Sequence, residues 1–179
     1  MFHTKRFLDL IHNFVIFDKG IKKVCRYNQY YAIKRAQHRL TEEKRGGIIW
    51  HTQGSGKSLT MVMLVKNLIE TITNPRVIVV TDRTVLDAQL QETISSFDHT
   101  LGAVETIGED KTSKNLRDAI NDGVRIIVTT LQKFPVIYQE VENTAGRNFD
   151  VIVDEAHSSQ TGSSALKLKA ALADTEDAL

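Results

Sequence analysis

Four short runs dominated by Ile and Val most strongly constrain how this chain can fold. They lack the polar alternation of a sheet with one wet face, so both faces of each strand are predicted to be covered, as in a parallel sheet. Strands that alternate with helices imply right-handed crossovers and a three-layer α/β/α domain. The predicted strands are Gly47–Trp50, Val77–Val80, Arg125–Val128 and Val151–Val153, with a further strand at Ala103–Ile107, and the predicted helices are Lys57–Thr71, Thr84–Phe97 and Lys114–Ile120.

The first 40 residues have a different pattern. Apolar residues from Phe7 to Phe17 recur at helical spacing, which predicts an amphipathic helix that Gly20 ends. A second helix is predicted from Tyr27 to Leu40. We therefore expect residues 1–40 to form a short helical segment, or the end of an upstream domain, and residues 41–179 to form the α/β domain.

Composition narrows the function classes. The 179 residues suffice for one good core, and 23 basic against 22 acidic residues give a net charge of +1, so any contact with DNA must come from local groups. No apolar run approaches the ~20 residues of a membrane span, and no secretory signal is present. The single cysteine, Cys25, fits a reducing compartment, which predicts a location in the cytoplasm.

A glycine-rich loop follows the first predicted strand. From His51 to Ser58 it reads His-Thr-Gln-Gly-Ser-Gly-Lys-Ser, which matches the phosphate-binding pattern G-x-x-x-x-G-K-[ST] except at the first position. Two glycines let backbone N–H groups turn toward phosphate oxygens, and the helix that follows adds its positive end. A plain turn with a solvated lysine is the alternative, but the strand-to-helix context favours nucleotide binding. The predicted nucleotide contacts are Thr52, Gln53, Gly54, Ser55, Gly56, Lys57 and Ser58.

Within this loop, two side chains have distinct predicted roles. The ammonium of Lys57 would reach the β- and γ-phosphates, and the hydroxyl of Ser58 would ligate Mg²⁺. Asp154 and Glu155 directly follow the last predicted strand, at the edge where parallel sheets bind ligands. Asp154 would hold Mg²⁺ and Glu155 would orient the attacking water. Alone the pair could be two exposed acids, but together with the loop it predicts a magnesium-dependent nucleotide site with Lys57, Asp154 and Glu155 as catalytic residues.

The segment Asp154–His157, which reads Asp-Glu-Ala-His, resembles superfamily 2 helicases and translocases when it is taken together with the loop. The first RecA-like domain of those proteins carries both motifs. Two longer stretches, Asp154–Gly162 and His51–Ser58, are similar to the motor (R) subunit of type I restriction enzymes, and Arg6–Phe14 resembles the stretch before its motor domain. The resemblance covers nearly the whole chain and implies a RecA-like P-loop NTPase fold.

The same resemblance implies roles for further residues. Gln29, in a segment like the upstream glutamine motif, would read adenine, although a surface glutamine is the alternative. Arg83 lies in a stretch similar to motif Ia, a nucleic-acid contact, and could equally be a solvated arginine. His157 would couple the ATP state to a second domain, or would simply cap a helix. The next contact segment, for which a plain turn is the alternative, supplies Thr129, Thr130, Gln132 and Lys133.

The family consists of large proteins that pump duplex DNA with ATP and then cut it. The resemblance therefore implies ATP and Mg²⁺ as cofactors, and double-stranded DNA with methyltransferase (M) and specificity (S) subunits as partners. No nuclease signature precedes Arg26, and the sequence ends before motif III and the second RecA-like domain, which supplies an arginine finger. We expect a piece of a longer enzyme that binds ATP but hardly hydrolyses it.

Two other function classes stay open on the sequence alone. The chain could belong to another superfamily 2 DNA or RNA helicase, or it could be a catalytically silent module that binds nucleotide and DNA. A small-molecule P-loop kinase is disfavoured because the chain has the Asp-Glu-Ala-His segment and lacks a substrate lid.

Overall fold

The computed structural model of the chain describes residues 3–18, 20–81, 93–94, 104–108, 111–137 and 149–154. The chain divides into two compact units, Met1–Thr73 and Asn74–Leu179. In the first unit the elements are α1 (Thr4–Asn13), β1 (Val15–Asp18), β2 (Ile21–Val24), α2 (Tyr27–Thr41) and α3 (Lys57–Thr71). The predicted helices at Tyr27–Leu40 and Lys57–Thr71 are therefore confirmed.

The prediction of one helix from Phe7 to Phe17 is wrong in its second half. The helix α1 ends at Asn13, and β1 pairs antiparallel with β2 as a hairpin. The run from Phe14 to Phe17 consists of β-branched and aromatic residues, which favour an extended backbone. Gly20 has a φ of +77°, a conformation that glycine adopts readily and that lets the chain reverse.

Asp9 of α1 holds this helix against α2. Its carboxylate accepts hydrogen bonds from the Tyr30 hydroxyl at 2.9 Å and from Asn13 Nδ2 at 2.7 Å, and it forms a 3.2 Å salt bridge with Lys34. Burial alone would raise the pKa of Asp9, but these hydrogen bonds outweigh burial and lower it. The fully buried Phe14 ring lies 4.7 Å from the Tyr30 ring, so the polar cluster is backed by aromatic packing.

The other end of α1 is held by α3. Lys66 Nζ donates to the His12 carbonyl at 2.8 Å, and Asn67 Nδ2 donates to the Asn13 carbonyl at 2.9 Å. The last carbonyls of a helix lack partners within the helix itself, so these side chains satisfy groups that would otherwise need water. The leading helix is thus tied to both longer helices of its unit.

Replacing Tyr30 with Phe is expected to lower the free energy of unfolding by about 2 kcal/mol, because a hydrogen bond to a charged carboxylate is lost. Burial and the bond to Asp9 raise the pKa of Tyr30 from 10.0 to about 12. A pKa raised in the folded state gives stability that is present below pH 10 and is lost as the pH rises through 12. Urea unfolding at neutral and high pH should therefore show the difference between wild type and variant shrinking over that range.

Tyr31→Phe is the matched control, since it removes the same hydroxyl from an exposed ring on the same helix. An equal loss of stability in the two variants would contradict the role given to the Tyr30–Asp9 hydrogen bond.

The second unit is built on a parallel sheet. Its elements are β3 (Val77–Thr81), β4 (Val104–Ile107), α4 (Ser113–Asp122), β5 (Ile126–Thr130), a 3₁₀ turn (Leu131–Lys133), α5 (Phe134–Ile137) and β6 (Asp150–Val153). The strand order is β4-β5-β3-β6, and every neighbouring pair is parallel. The predicted α/β fold with a mainly parallel sheet is confirmed, and the strand predicted at Ala103–Ile107 is described from Val104 to Ile107.

Every residue of β3 and β5 is buried, which explains their unbroken apolar runs. One core cluster joins these strands to α4 and α5. Its buried members are Ile78, Val80, Ile107, Leu116, Ala119, Ile120, Ile127 and Phe134. The helix α4 begins at the N-cap Thr112, whose backbone N–H donates to Asn115 Oδ1 at 2.9 Å, and it ends at Gly123.

The predicted strand at Gly47–Trp50 is not formed. The segment has no regular secondary structure, and Ile48 and Trp50 are 65% and 87% exposed. An extended segment becomes a strand only when a neighbour pairs with its N–H and C=O groups, and none of the described strands pairs with this one. The apolar run was therefore not sufficient evidence for a strand.

The predicted helix Thr84–Phe97 lies outside the described residues, except for Thr93 and Ile94, which are helical and buried. Among the helices that the structure describes, none has the length and apolar character needed to cross a membrane.

Candidate functional site

The glycine-rich loop lies at the start of α3, where the sequence predicted it. Gly54 and Gly56 have φ values of +78° and +86°, and α3 begins at the next residue, Lys57. The N–H of Ser55 donates to the Thr52 carbonyl at 3.2 Å and closes a turn. Gly54 therefore supplies left-handed backbone within this turn, and Gly56 supplies it at the N-cap of α3.

Two polar atoms of the loop suit a bound phosphate. Ser55 Oγ and His51 Nδ1 are buried, and neither has a hydrogen-bond partner in the described part of the chain. A buried polar atom that lacks a partner typically costs about 1–3 kcal/mol. Phosphate oxygens are acceptors that a Ser55 hydroxyl could satisfy, so the loop fits this group. The sequence had placed Ser55 among the nucleotide contacts but had not given a role to His51.

The carbonyl of Gly56 is a point where three donors meet. It accepts from the Thr60 N–H at 3.0 Å, from the Thr60 hydroxyl at 3.0 Å and from Gln29 Nε2 at 3.1 Å. The other end of the same amide, Gln29 Oε1, accepts from the Arg26 N–H at 2.8 Å. The predicted contact of Gln29 with adenine stays a prediction, and in the structure its amide nitrogen contacts the glycine-rich loop at Gly56.

Sequence reasoning missed Thr60. A threonine four residues after a loop glycine can bond back to that glycine's carbonyl, and this spacing could have identified it.

The two predicted magnesium ligands belong to different units. Ser58 is half-buried in the first turn of α3. Asp154 directly follows β6, and its backbone N–H donates to the Val80 carbonyl at 2.9 Å. Hydroxyl and carboxylate oxygens are ligands that Mg²⁺ prefers, and this ion usually takes only one or two protein ligands beside phosphate and water. Among the described residues, no three or more His, Cys, Asp or Glu side chains form a cluster that could hold a metal ion.

The predicted nucleic-acid contacts differ in accessibility. Thr129 and Thr130 end β5 with buried side chains, whereas Gln132 is exposed in the 3₁₀ turn. Lys133 Nζ donates to the carbonyl of Lys111, and the Lys111 ammonium forms a 3.3 Å salt bridge with Glu105. Arg83, Glu155 and His157 lie outside the described residues.

Residues 28–177 match the sequence model of the SWI2/SNF2 ATPase family. The chain belongs to this family. It is therefore a domain of an ATPase family, which agrees with the nucleotide-binding interpretation of the two motifs.

Among curated proteins, this SWI2/SNF2 ATPase is similar to endonuclease subunits of type I restriction enzymes, as the motifs indicated. It is 38% identical over 171 residues to the HindI subunit of Haemophilus influenzae, an alignment that covers 87% of this chain and 16% of that protein. It is 32% identical to the putative MjaIXP subunit of Methanocaldococcus jannaschii, with 96% of this chain and 17% of that protein covered. The chain thus spans about one sixth of the length of these relatives.

Solved structures support the fold of this SWI2/SNF2 ATPase. The UvsW helicase from bacteriophage T4 aligns with a TM-score of 0.66 at 18% identity, covering 95% of this chain and 56% of that chain. A nuclease-deletion mutant of the Type ISP restriction-modification enzyme LlaGI, in complex with a DNA substrate mimic, aligns with a TM-score of 0.55 at 20% identity. That match covers 75% of this chain and 15% of the enzyme.

Proposed function

We propose that this chain is the ATP-binding half of a motor that translocates double-stranded DNA within a type I restriction enzyme. The observation that carries the proposal is the glycine loop, which is turned by Gly54 and Gly56 onto the start of α3. The 38% identity to a type I endonuclease subunit supports the biological setting. In this proposal residues 1–40 form a helical segment before the motor, and residues 41–179 form its first RecA-like domain.

The loop residues hold the triphosphate. Backbone N–H groups at the start of α3 face the phosphate oxygens, and the ammonium of Lys57 neutralises charge on the β- and γ-phosphates. The ligands for Mg²⁺ are Ser58 and Asp154, and the bound ion would offset charge on the phosphates. Glu155 orients the water that attacks the γ-phosphate, and His157 couples the nucleotide state to the second motor domain.

Polar groups after β5 and in the segment after β3 contact the DNA backbone. Gln132 is exposed in the 3₁₀ turn, while Lys133 would have to exchange its bond to the Lys111 carbonyl to approach a phosphate. Arg83, Thr129 and Thr130 complete the proposed contacts. The partners are double-stranded DNA and the methyltransferase and specificity subunits of the restriction complex.

A location in the cytoplasm completes the proposal. Burial raises the pKa of the free thiol of Cys25 to about 11, so the thiolate, which is the reactive form, is scarce at neutral pH. A single unreactive thiol is compatible with this location.

Residues 1–179 alone are expected to bind Mg²⁺–ATP with one-to-one stoichiometry but hardly to hydrolyse it. In the proposed enzyme, a second motor domain supplies the arginine that stabilises transition-state charge, which is worth about 10³-fold or more in rate. Calorimetry would measure the binding, and release of phosphate with and without duplex DNA would measure turnover. Turnover that is clearly above background and disappears in a Lys57→Ala variant would contradict this expectation.

Assays on a longer protein that carries this sequence would distinguish a translocase from a strand-separating helicase. The proposal requires ATP-dependent displacement of a third strand from a DNA triplex, without unwinding of the duplex itself. Unwinding of the duplex would instead support another superfamily 2 helicase.

A further inference from the structure

The amide of Gln29 links two backbone segments that are 27 residues apart in sequence. Its oxygen accepts from the Arg26 N–H, and its nitrogen donates to the Gly56 carbonyl. The opposite amide orientation would set two donors against each other at Arg26 and two acceptors against each other at Gly56, so the network fixes the orientation. The side chain is 1% exposed, which leaves little surface for a base to reach.

The link to Gly56 bears directly on the phosphate loop. The Gly56 carbonyl and the Lys57 N–H belong to one planar peptide unit, so fixing one group fixes the direction of the other. The two bonds from Thr60 come from within α3 itself, whereas the bond from Gln29 comes from another helix, α2. Gln29 of α2 therefore helps to fix the direction of the Lys57 N–H, the first N–H group of α3.

Space around the loop supports the same interpretation. A Cβ atom on Gly56 would lie 2.8 Å from Gln29 Nε2, closer than such atoms approach in proteins. By contrast, a Cβ atom on Gly54 would meet nothing within 4 Å. The close approach thus occurs at the glycine that Gln29 contacts.

We propose that Gln29 is a positioning residue that orients the Gly56–Lys57 peptide toward phosphate, so that it acts on every polyphosphate ligand alike and does not read adenine. The proposal rests on the proposed phosphate-binding role of the loop. It assigns the upstream glutamine of this chain to the triphosphate end of the site.

The proposal predicts that the loss of affinity in a Gln29 variant is the same whichever base the ligand carries, and this can be tested directly. Gln29→Met fills the buried space without either hydrogen bond, and Gln37→Met is the matched control, because Gln37 is a buried glutamine on the same helix that bonds to Thr71. Mg²⁺–ATP, Mg²⁺–GTP and Mg²⁺–tripolyphosphate would be titrated into each variant of the 179-residue chain by calorimetry. We expect Gln29→Met to weaken all three ligands by the same factor, about 3- to 10-fold, and Gln37→Met to leave them unchanged.

Gln29→Glu is the second variant. Its carboxylate keeps an acceptor for the Arg26 N–H, so the first turn of α2 is retained, but it has no donor for the Gly56 carbonyl. An equal weakening of all three ligands is again expected. The uncharged methionine variant separates the lost hydrogen bond from simple charge repulsion.

The outcomes are distinct. Weaker binding of ATP alone, with GTP and tripolyphosphate unchanged, would show that Gln29 reads adenine and would overturn the proposal. A lower melting temperature with unchanged affinities would show a role in packing only, and would also overturn it. If the folded wild type bound neither ATP nor tripolyphosphate, the proposed nucleotide function would fail, and this inference would fail with it.

Discussion

Replacing Lys57 with alanine is expected to weaken Mg²⁺–ATP binding by a factor of about 100 or more. Each hydrogen bond between the ammonium and a charged phosphate oxygen contributes about 1.5–3 kcal/mol, and contacts to both the β- and γ-phosphates are lost together. Calorimetric titration at fixed ionic strength would measure the change. The loop must remain folded for this comparison, which circular dichroism and the melting temperature would check.

Lys114→Ala is the control for this variant. It removes an equal charge from an exposed position in α4, in the other compact unit. If Lys57→Ala bound ATP within threefold of wild type, the glycine loop would not be the phosphate site, and the proposed function would lose its main support.

The second large effect is expected for Gly56→Ala. A side chain at φ +86° costs about 1–2 kcal/mol, and its Cβ atom would also lie 2.8 Å from Gln29 Nε2. Either the amide or the loop must move, so we expect a loss of unfolding free energy of about 2–4 kcal/mol and at least a tenfold weaker affinity for ATP. Urea unfolding and calorimetry would measure the two quantities.

Two other glycines provide the comparison. Gly54→Ala and Gly20→Ala place a side chain at nearly the same positive φ but with nothing within 4 Å of the added atom. Gly20 lies in the hairpin turn, so its variant should lose about 1 kcal/mol of stability and no nucleotide affinity. If Gly56→Ala were no less stable than these two, the close contact with Gln29 would have no energetic consequence.

The elements that the sequence predicted well are those whose signal is local. The helix α3 combines a helical apolar pattern with two glycines just before it. The strands β3 and β5 contain consecutive apolar residues, which is the pattern of a strand that is covered on both faces. For these elements no information from distant residues was needed.

The predictions that failed depended on distant residues or on overlapping patterns. The segment Gly47–Trp50 has strand-like composition, but strand formation is decided by a pairing partner, which a local pattern does not contain. The stretch from Phe14 to Phe17 fits both a helical and an extended pattern, and the turn at Gly20 and the pairing of β1 with β2 decide between them.

In the candidate site, too, the features that depend on local sequence were predicted, and those that depend on contacts between distant segments were not. The sequence located Lys57 and Ser58 at a helix start because the phosphate motif is contiguous. It could not show that Gln29 contacts Gly56, because that contact joins two segments through the packing of α2 and α3. Nor could it reveal the unpartnered Ser55 hydroxyl, which is a property of burial in the folded loop.

The helix α3 is a rigid rod with a different attachment at each end. Its first residue is Lys57 of the loop. About 15 Å farther along the axis, the side chains of Lys66 and Asn67 donate hydrogen bonds to the last carbonyls of α1. A tilt or sliding of this rod as the loop closes on a ligand would lengthen or break those two bonds. The amide protons of α1 would then exchange with solvent at a rate that depends on nucleotide occupancy. The hydrogen-exchange rate of α1 would therefore report whether the proposed ATP site is occupied, although α1 itself does not contact the ligand.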